Sequence, residues 1–239
     1  MTLRRLAVVA CLACSMAFGG LVKSRSGTGW AESVPHAIYD DIVKGEPYQA
    51  TFESTARVSQ PDGQVTISVM CGAVLRDGEG RTRQEIFGFV PCESLPQPRE
   101  ARIITIKDDP NSLGHSLVLD PARKTFWRFS LGLDSGTPSR VEEWVYPGAQ
   151  ETHDSPEPVQ MEGLTCRKVL IKTEDGESGA IWISDELHEV IREEIGTRCT
   201  WRLTDIVRGE PDPRLFEIPS GYKEATGRVD FEAPVLPVP

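Results

Sequence analysis

Three histidines, His115, His153 and His188, are the side chains best suited to proton transfer, and they are scattered along the chain. Ser116, His115 and Asp120 supply the residue types of a hydrolytic triad, but no GxSxG sits at a strand-to-helix turn, so nucleophilic catalysis has no motif behind it. His188 in DELHEV reads as a turn residue. The carboxylate doublets Asp40-Asp41, Asp108-Asp109, Glu142-Glu143 and Glu193-Glu194 could suggest acid–base work. A glycosidase needs two acids across a sugar-sized cleft, and adjacent residues of a strand point to opposite sides. Asp108, Asp109 and Asn111 come nearest to a calcium loop and lack its pattern, which leaves solvated turns as the reading. No metal, no cofactor and no enzymatic activity are expected.

Cysteine chemistry points to redox compartment instead. Beyond residue 31 the cysteines are Cys71, Cys92, Cys166 and Cys199. None are spaced as CxxC and no histidine sits at ligand spacing beside them, which argues against zinc. An even number in an exported chain suggests disulfides. Of the three pairings, the preferred one is Cys71–Cys92 with Cys166–Cys199, each within one half of the chain; buried free thiols are the alternative.

Export is expected from the first 31 residues. Arg4 and Arg5 precede an apolar run from Leu6 to about Val22, the pattern of a signal peptide or, if uncleaved, an anchor. Small residues at Ser15/Ala17 and Gly29/Ala31 offer two cleavage points. The sequence around Cys11 fits a lipobox only loosely. The 239-residue chain has a net charge of −10, and −14 once the four cations of residues 1–31 are set aside. So acidic a surface repels phosphate backbones and anionic headgroups, so no nucleic-acid partner is expected.

The elements that must position any site are mostly strands. Ser33, Pro35 and Gly45 bracket a short helix over 34–44, with Ile38 and Ile42 on one face. From Pro47 the period becomes two. Strands are predicted near 48–59, 65–76, 81–90, 102–107, 113–119, 124–129, 162–173, 179–184, 188–195 and 198–207, separated by turn residues such as Pro61-Asp62-Gly63 and Asp77-Gly78-Glu79-Gly80. Residues 91–98 form a proline-rich loop. Residues 130–160 form an irregular insert with a helix from Thr137 through Trp144. The fold class is mainly β: one curled antiparallel meander, a half-barrel or incomplete barrel of about ten strands. It occupies residues 32–222, with 223–239 a proline-rich flexible tail.

In the second strand Val65, Ile67, Val69, Cys71, Ala73 and Leu75 alternate with Thr66, Ser68, Met70, Gly72, Val74 and Arg76, so the first set is expected to face the core. In the last strand Trp201, Leu203, Asp205 and Val207 share a face. Val65, Ile67, Val69, Leu75, Trp201, Leu203 and Val207 are therefore the candidate walls of a hollow, with core packing as the plainer role. Trp127, Trp144 and Trp182 could line its mouth.

A helix in front, a curled meander and a mid-chain insert together resemble the lipoprotein-carrier-like clan. That clan includes the periplasmic carrier and outer-membrane receptor for lipoproteins and a periplasmic regulator that senses them. The segments RDGEGRTRQEI, DDPNSLGHSLVLDPARKTFWR, MEGLTCRKV and above all RLTDIVRGEPDPRLFEIPSGY resemble uncharacterised exported acidobacterial proteins of this type, across about residues 45–222. The resemblance implies an apolar cavity that takes acyl chains, a lipid or lipoprotein as partner, and a periplasmic or secreted location, with a tether if the N-terminal segment is retained. It carries over no individual site residue. The rival expectation is an envelope sensor or scaffold with a packed core, acting through loops 91–100 and 130–160 on a protein partner.

Overall fold

The structure, a computed structural model, describes residues 43–59, 64–107, 115–130, 150–154, 157–172 and 176–225. Nearly all of the expected front helix, the expected helix from Thr137, and the doublets Asp40-Asp41, Asp108-Asp109 and Glu142-Glu143 lie outside these residues.

Thirteen strands make one open sheet. In the first half these are β1 (Tyr48–Ser59), β2 (Val65–Arg76), β3 (Thr82–Gly88), β4 (Ile103–Lys107), β5 (His115–Asp120) and β6 (Thr125–Ser130). In the second they are β7 (Gln150–Asp154), β8 (Val159–Met161), β9 (Leu164–Lys172), β10 (Ser178–Ser184), β11 (Glu189–Ile195), β12 (Arg198–Arg208) and β13 (Lys223–Glu224). The order is β13-β6-β5-β4-β3-β2-β1-β12-β11-β10-β9-β7, with β8 also on β9. Each half is a run of hairpins, and β1 against β12 joins them in the middle of the sheet. All pairings are antiparallel except β13 on β6. The expected strands are all present. β7, β8 and β13 are additional, and β13 ties down the start of the stretch expected to be a loose tail.

Turn chemistry explains the hairpins. The Asp77 carboxylate accepts from the Glu79 and Arg81 backbone N–H groups at 3.1 and 2.8 Å, while Gly80 takes φ +86. Asp120 likewise accepts from Arg123 N at 2.9 Å. The β8–β9 turn places Glu162 at φ +49 and Gly163 at φ +76, both left-handed, as a two-residue hairpin loop requires.

The sheet has an inner and an outer face. Tyr48, Ala50, Phe52, Val74, Ile86, Ile103 and Val118 belong to one buried cluster with Ile181, Trp201 and Leu203 of the second half. Arg76 Nη2 donates to the carbonyl of Leu187, just before β11. β2 and β11 stand three strand positions apart, about 14 Å in a flat sheet, farther than an arginine can reach. The sheet therefore curls toward this face. On the outer face of the first half, Leu75, Ile104, Ile106, Leu117, Leu119 and Phe126 pack under Phe216. Phe216 ends a 3-10 turn over Pro213–Phe216, where the Arg214 backbone N–H donates to the capping Asp212 carboxylate.

This double coverage corrects the expected facing of β2. The inner set is Met70, Gly72, Val74 and Arg76, the residues expected to be wet. Ile67, of the set expected to face the core, is 62 % exposed. Arg76 is fully buried because the Tyr48 ring and Glu189 receive it. The second disulfide is also corrected. Cys71–Cys92 is bonded, whereas Cys166 and Cys199 are free thiols. Cys166 is on β9 and Cys199 on β12, with β10 and β11 between, so the Cα atoms are far beyond bridging distance.

Candidate functional site

The inner face of the first half is organised in rows that the strand register fixes. One row runs Ala50, Val74, Gln84, Thr105, Val118 and Trp127 across β1 to β6. The adjoining row runs Leu203, Phe52, Gly72, Ile86 and Ile103. Phe52 stacks on Trp201 with ring centroids 5.1 Å apart, and the Trp201 indole N–H donates to the Val190 carbonyl at 3.0 Å. These aromatics bind the two halves into one floor. Half-buried Met70, Phe89, Trp127, Val159, Met161 and Ile206 pack against it.

The floor carries polar groups as well. Tyr48 OH donates to Glu189 Oε2 at 2.8 Å, and Arg76 Nη1 stands 3.7 Å from the same oxygen. Arg76 also donates to the Glu46 carbonyl, at 3.3 Å from Nε and 3.2 Å from Nη2. Thr200 donates its hydroxyl hydrogen to buried Glu193. Besides Arg76 Nη1, whose approach to Glu189 is longer than a hydrogen bond, two atoms differ from these. Gln84 Nε2 and Thr125 Oγ1 are buried with no hydrogen-bond partner among the described residues. Gln84 itself is only 6 % exposed.

The seven side chains expected to form one wall are divided between the faces. Trp201 and Leu203 lie on the inner floor, 1 % exposed each. Leu75 lies on the outer face, in the cluster under Phe216. Val69 is half-buried on the outer side of β2, and Ile67 is exposed there. Val65 begins β2, and its side chain lies outside the described part. Val207 is 53 % exposed, opposite Gln49, the residue that also pairs with Leu75. The cause is a bulge between Gln49 and Thr51 in the β1–β12 register, with Asp205 at φ +53. One extra residue in β12 reverses the alternation beyond it. Sequence reasoning missed Gln84, which sits between Thr82 and Ile86 in an alternation that reads as a wet face.

A second concavity lies at the end of β3, β4 and β5. Phe87, Leu95, Pro96, Pro98, Ile104 and Pro121 line a groove of about 1080 Å³, together with the charged Arg99, Glu100, Arg102, Asp120 and Arg123. The Cys71–Cys92 bond and the Cys92 N–H on Glu53 Oε2, at 3.0 Å, fix the loop that forms one side. His188 is an exposed turn residue at φ +49, as expected. Among the described residues no three metal-ligating side chains converge. Burial, aided by Asp185 and Glu186, pushes the Cys166 thiol up to about 11, and burial raises Cys199 also. Neither is an activated nucleophile.

No family model matches the chain, and no curated protein does. Solved structures give distant likenesses. An uncharacterised conserved protein from Thermus thermophilus aligns at a TM-score of 0.42 and 10% identity, covering 76% of this chain and 90% of that one. The MucA/MucB complex structure from Pseudomonas aeruginosa gives 0.34 and 11%, covering 76% and 57%. A LolA superfamily protein from Nitrosomonas europaea gives 0.29 and 11%, covering 75% and 94%. These likenesses are too distant to assign the chain to any of those groups.

Proposed function

We propose that this chain is an exported, non-enzymatic protein of lipoprotein-carrier-like type that holds a hydrophobic or lipidated ligand against the inner face of its sheet. Kinship with exported acidobacterial proteins of that type belongs to the same reading. The observation that carries it is the set of half-buried apolar side chains packed against a buried apolar floor, in a sheet whose two end strands do not pair. Such a surface gains about 25 cal/mol for each Å² of apolar area an acyl chain covers, before the costs of ordering. Trp201 and Leu203, 1 % exposed each, are the floor beneath it; the area a ligand covers belongs to the half-buried Met70, Phe89, Trp127, Val159, Met161 and Ile206. The Cys71–Cys92 bond supports an oxidising compartment, periplasmic or secreted, with residues 1–31 as export segment or tether. The test is Met70→Asp, which puts a charge on the rim. Binding of dansyl-undecanoic acid should fall roughly tenfold or more, since the acid must be desolvated. Unchanged binding would contradict the reading.

A second reading takes the groove beside residues 91–102 as a docking surface for an envelope protein. Its pinned loop and its mixed apolar and charged lining favour it. Affinity capture that recovers a protein partner and no lipid would select it.

A further inference from the structure

Buried polar atoms in folded proteins are almost always hydrogen-bonded, so a buried donor without a partner calls for an account of its own. On the inner face, Tyr48, Glu189, Glu193 and Thr200 are satisfied within the protein. The cations of the same face are engaged as well: Arg76 on Glu189 and two carbonyls, and Lys107 in a polar contact of its own. Apart from Arg76 Nη1, which lies at ion-pair distance from Glu189, the buried donor without a hydrogen bond among the described residues of this face is Gln84 Nε2, in a side chain more than nine-tenths buried. Its direction is set by register: Val74 beside it, and Val118 beyond Thr105 in the same row, both belong to the inner cluster. Its direct cross-strand neighbours are Val74 on one side and Thr105 on the other; Ile86 and Ile103 lie in one adjoining row and Thr82 and Lys107 in the other. Thr125 Oγ1, at the start of β6 and three strands away, is another buried polar atom without a partner among the described residues.

A neutral amide donor beside Val74, Ile86 and Ile103 matches a molecule with a neutral acceptor at the root of a hydrocarbon chain. The carbonyl of an acyl ester or amide is that acceptor. A plain hydrocarbon would leave the donor unsatisfied, and a buried carboxylate would bring a charge that Gln84 cannot neutralise. We propose that Gln84 is a specificity-determining residue: its amide N–H donates to the carbonyl oxygen of an acyl ester or amide whose chain lies on the inner face. This deepens the carrier reading and rests on it.

The experiment compares two monomeric amphiphiles that differ at that carbonyl. The full chain is titrated calorimetrically with 1-lauroyl lysophosphatidylcholine and with its 1-O-dodecyl ether analogue, each below its micelle-forming concentration. The ester should bind about tenfold more tightly, the worth of one buried hydrogen bond. Gln84→Leu should bind both equally, near the ether affinity of the parent. Its ligand-free melting temperature should hold or rise, because an unsatisfied buried amide is removed. A purely structural role for Gln84 predicts a lower melting temperature instead. Equal ester and ether affinity in the unaltered protein would overturn the assignment of Gln84 while leaving carriage standing, and needs no variant to fold. A preference that survives Gln84→Leu would overturn it too. Failure of both amphiphiles to bind would overturn the carrier reading along with it.

Discussion

Gly72 stands directly opposite Phe52 in the β1–β2 ladder, and the Phe52 ring occupies the space that a side chain at position 72 would need. A Cβ there would lie 2.4 Å from two ring carbons and 2.1 Å from the Glu85 carbonyl oxygen. The ring cannot swing away, because Trp201 stacks on it. The backbone cannot give easily either, since β2 is paired on both sides. Gly72→Ala is expected to cost about 2–4 kcal/mol, the scale of a severe overpacking of the core. Urea unfolding followed by tryptophan fluorescence measures it.

The Arg76–Glu189 pair joins β2 to β11 with both side chains 1 % exposed. Removing one partner strands a buried charge. Arg76→Met is expected to destabilise by about 3–5 kcal/mol, and Arg76→Met with Glu189→Leu by clearly less than the sum of the two single changes. Tyr48→Phe, which removes one hydrogen bond to a charged acceptor, should cost about 1.5–3 kcal/mol. A thermodynamic cycle from chemical denaturation checks all three.

The disulfide closes a loop with a sequence separation of 21 residues and fixes the wall of the groove. Cys92→Ser should lower stability by about 3 kcal/mol. It should also raise amide hydrogen exchange over residues 91–102 more than elsewhere.

Cys166 and Cys199 should resist alkylation in the native state and react after unfolding, read by mass spectrometry of the peptides that carry them. For Cys166 the folded protein holds its proton up to about pH 11, above the unfolded value of 9.0. Between these the folded state binds more protons than the unfolded one. Its contribution to stability is therefore complete below pH 9 and is lost as pH rises toward 11. Cys166→Ala should flatten that part of the pH–stability curve.

Most strands were legible in the sequence, because period-two alternation and Asp/Gly turns such as Asp77–Gly80 are local signals. What was not legible is tertiary. β1 against β12 is a pairing between distant segments, and no local pattern marks it. Both faces of β2 are buried, one by the sheet's own curl and one by the segment ending at Phe216, so Leu75 and Val74 read equally well as core. Arg76 reads as wet unless Glu189 and Tyr48 are known to meet it. The bulge at Asp205 inserts one residue into an alternation, which moves Val207 away from Trp201 and Leu203. Cys71–Cys92 could be preferred by proximity in the chain, but the same argument failed for Cys166 and Cys199, where two strands intervene. Gln84 has the residue type of a solvated position and is revealed as a candidate only by its burial.

The account depends on an apolar ligand lying on the inner face. The most direct measurement is to purify the full chain from an envelope fraction without detergent, extract it with organic solvent, and analyse the extract by mass spectrometry. Melting temperatures before and after delipidation complete the comparison. An acyl-bearing molecule should be recovered in near-stoichiometric amount, and its removal should lower the melting temperature until the extract is returned. An empty extract, with a melting temperature that neither delipidation nor added lipid changes, would contradict it.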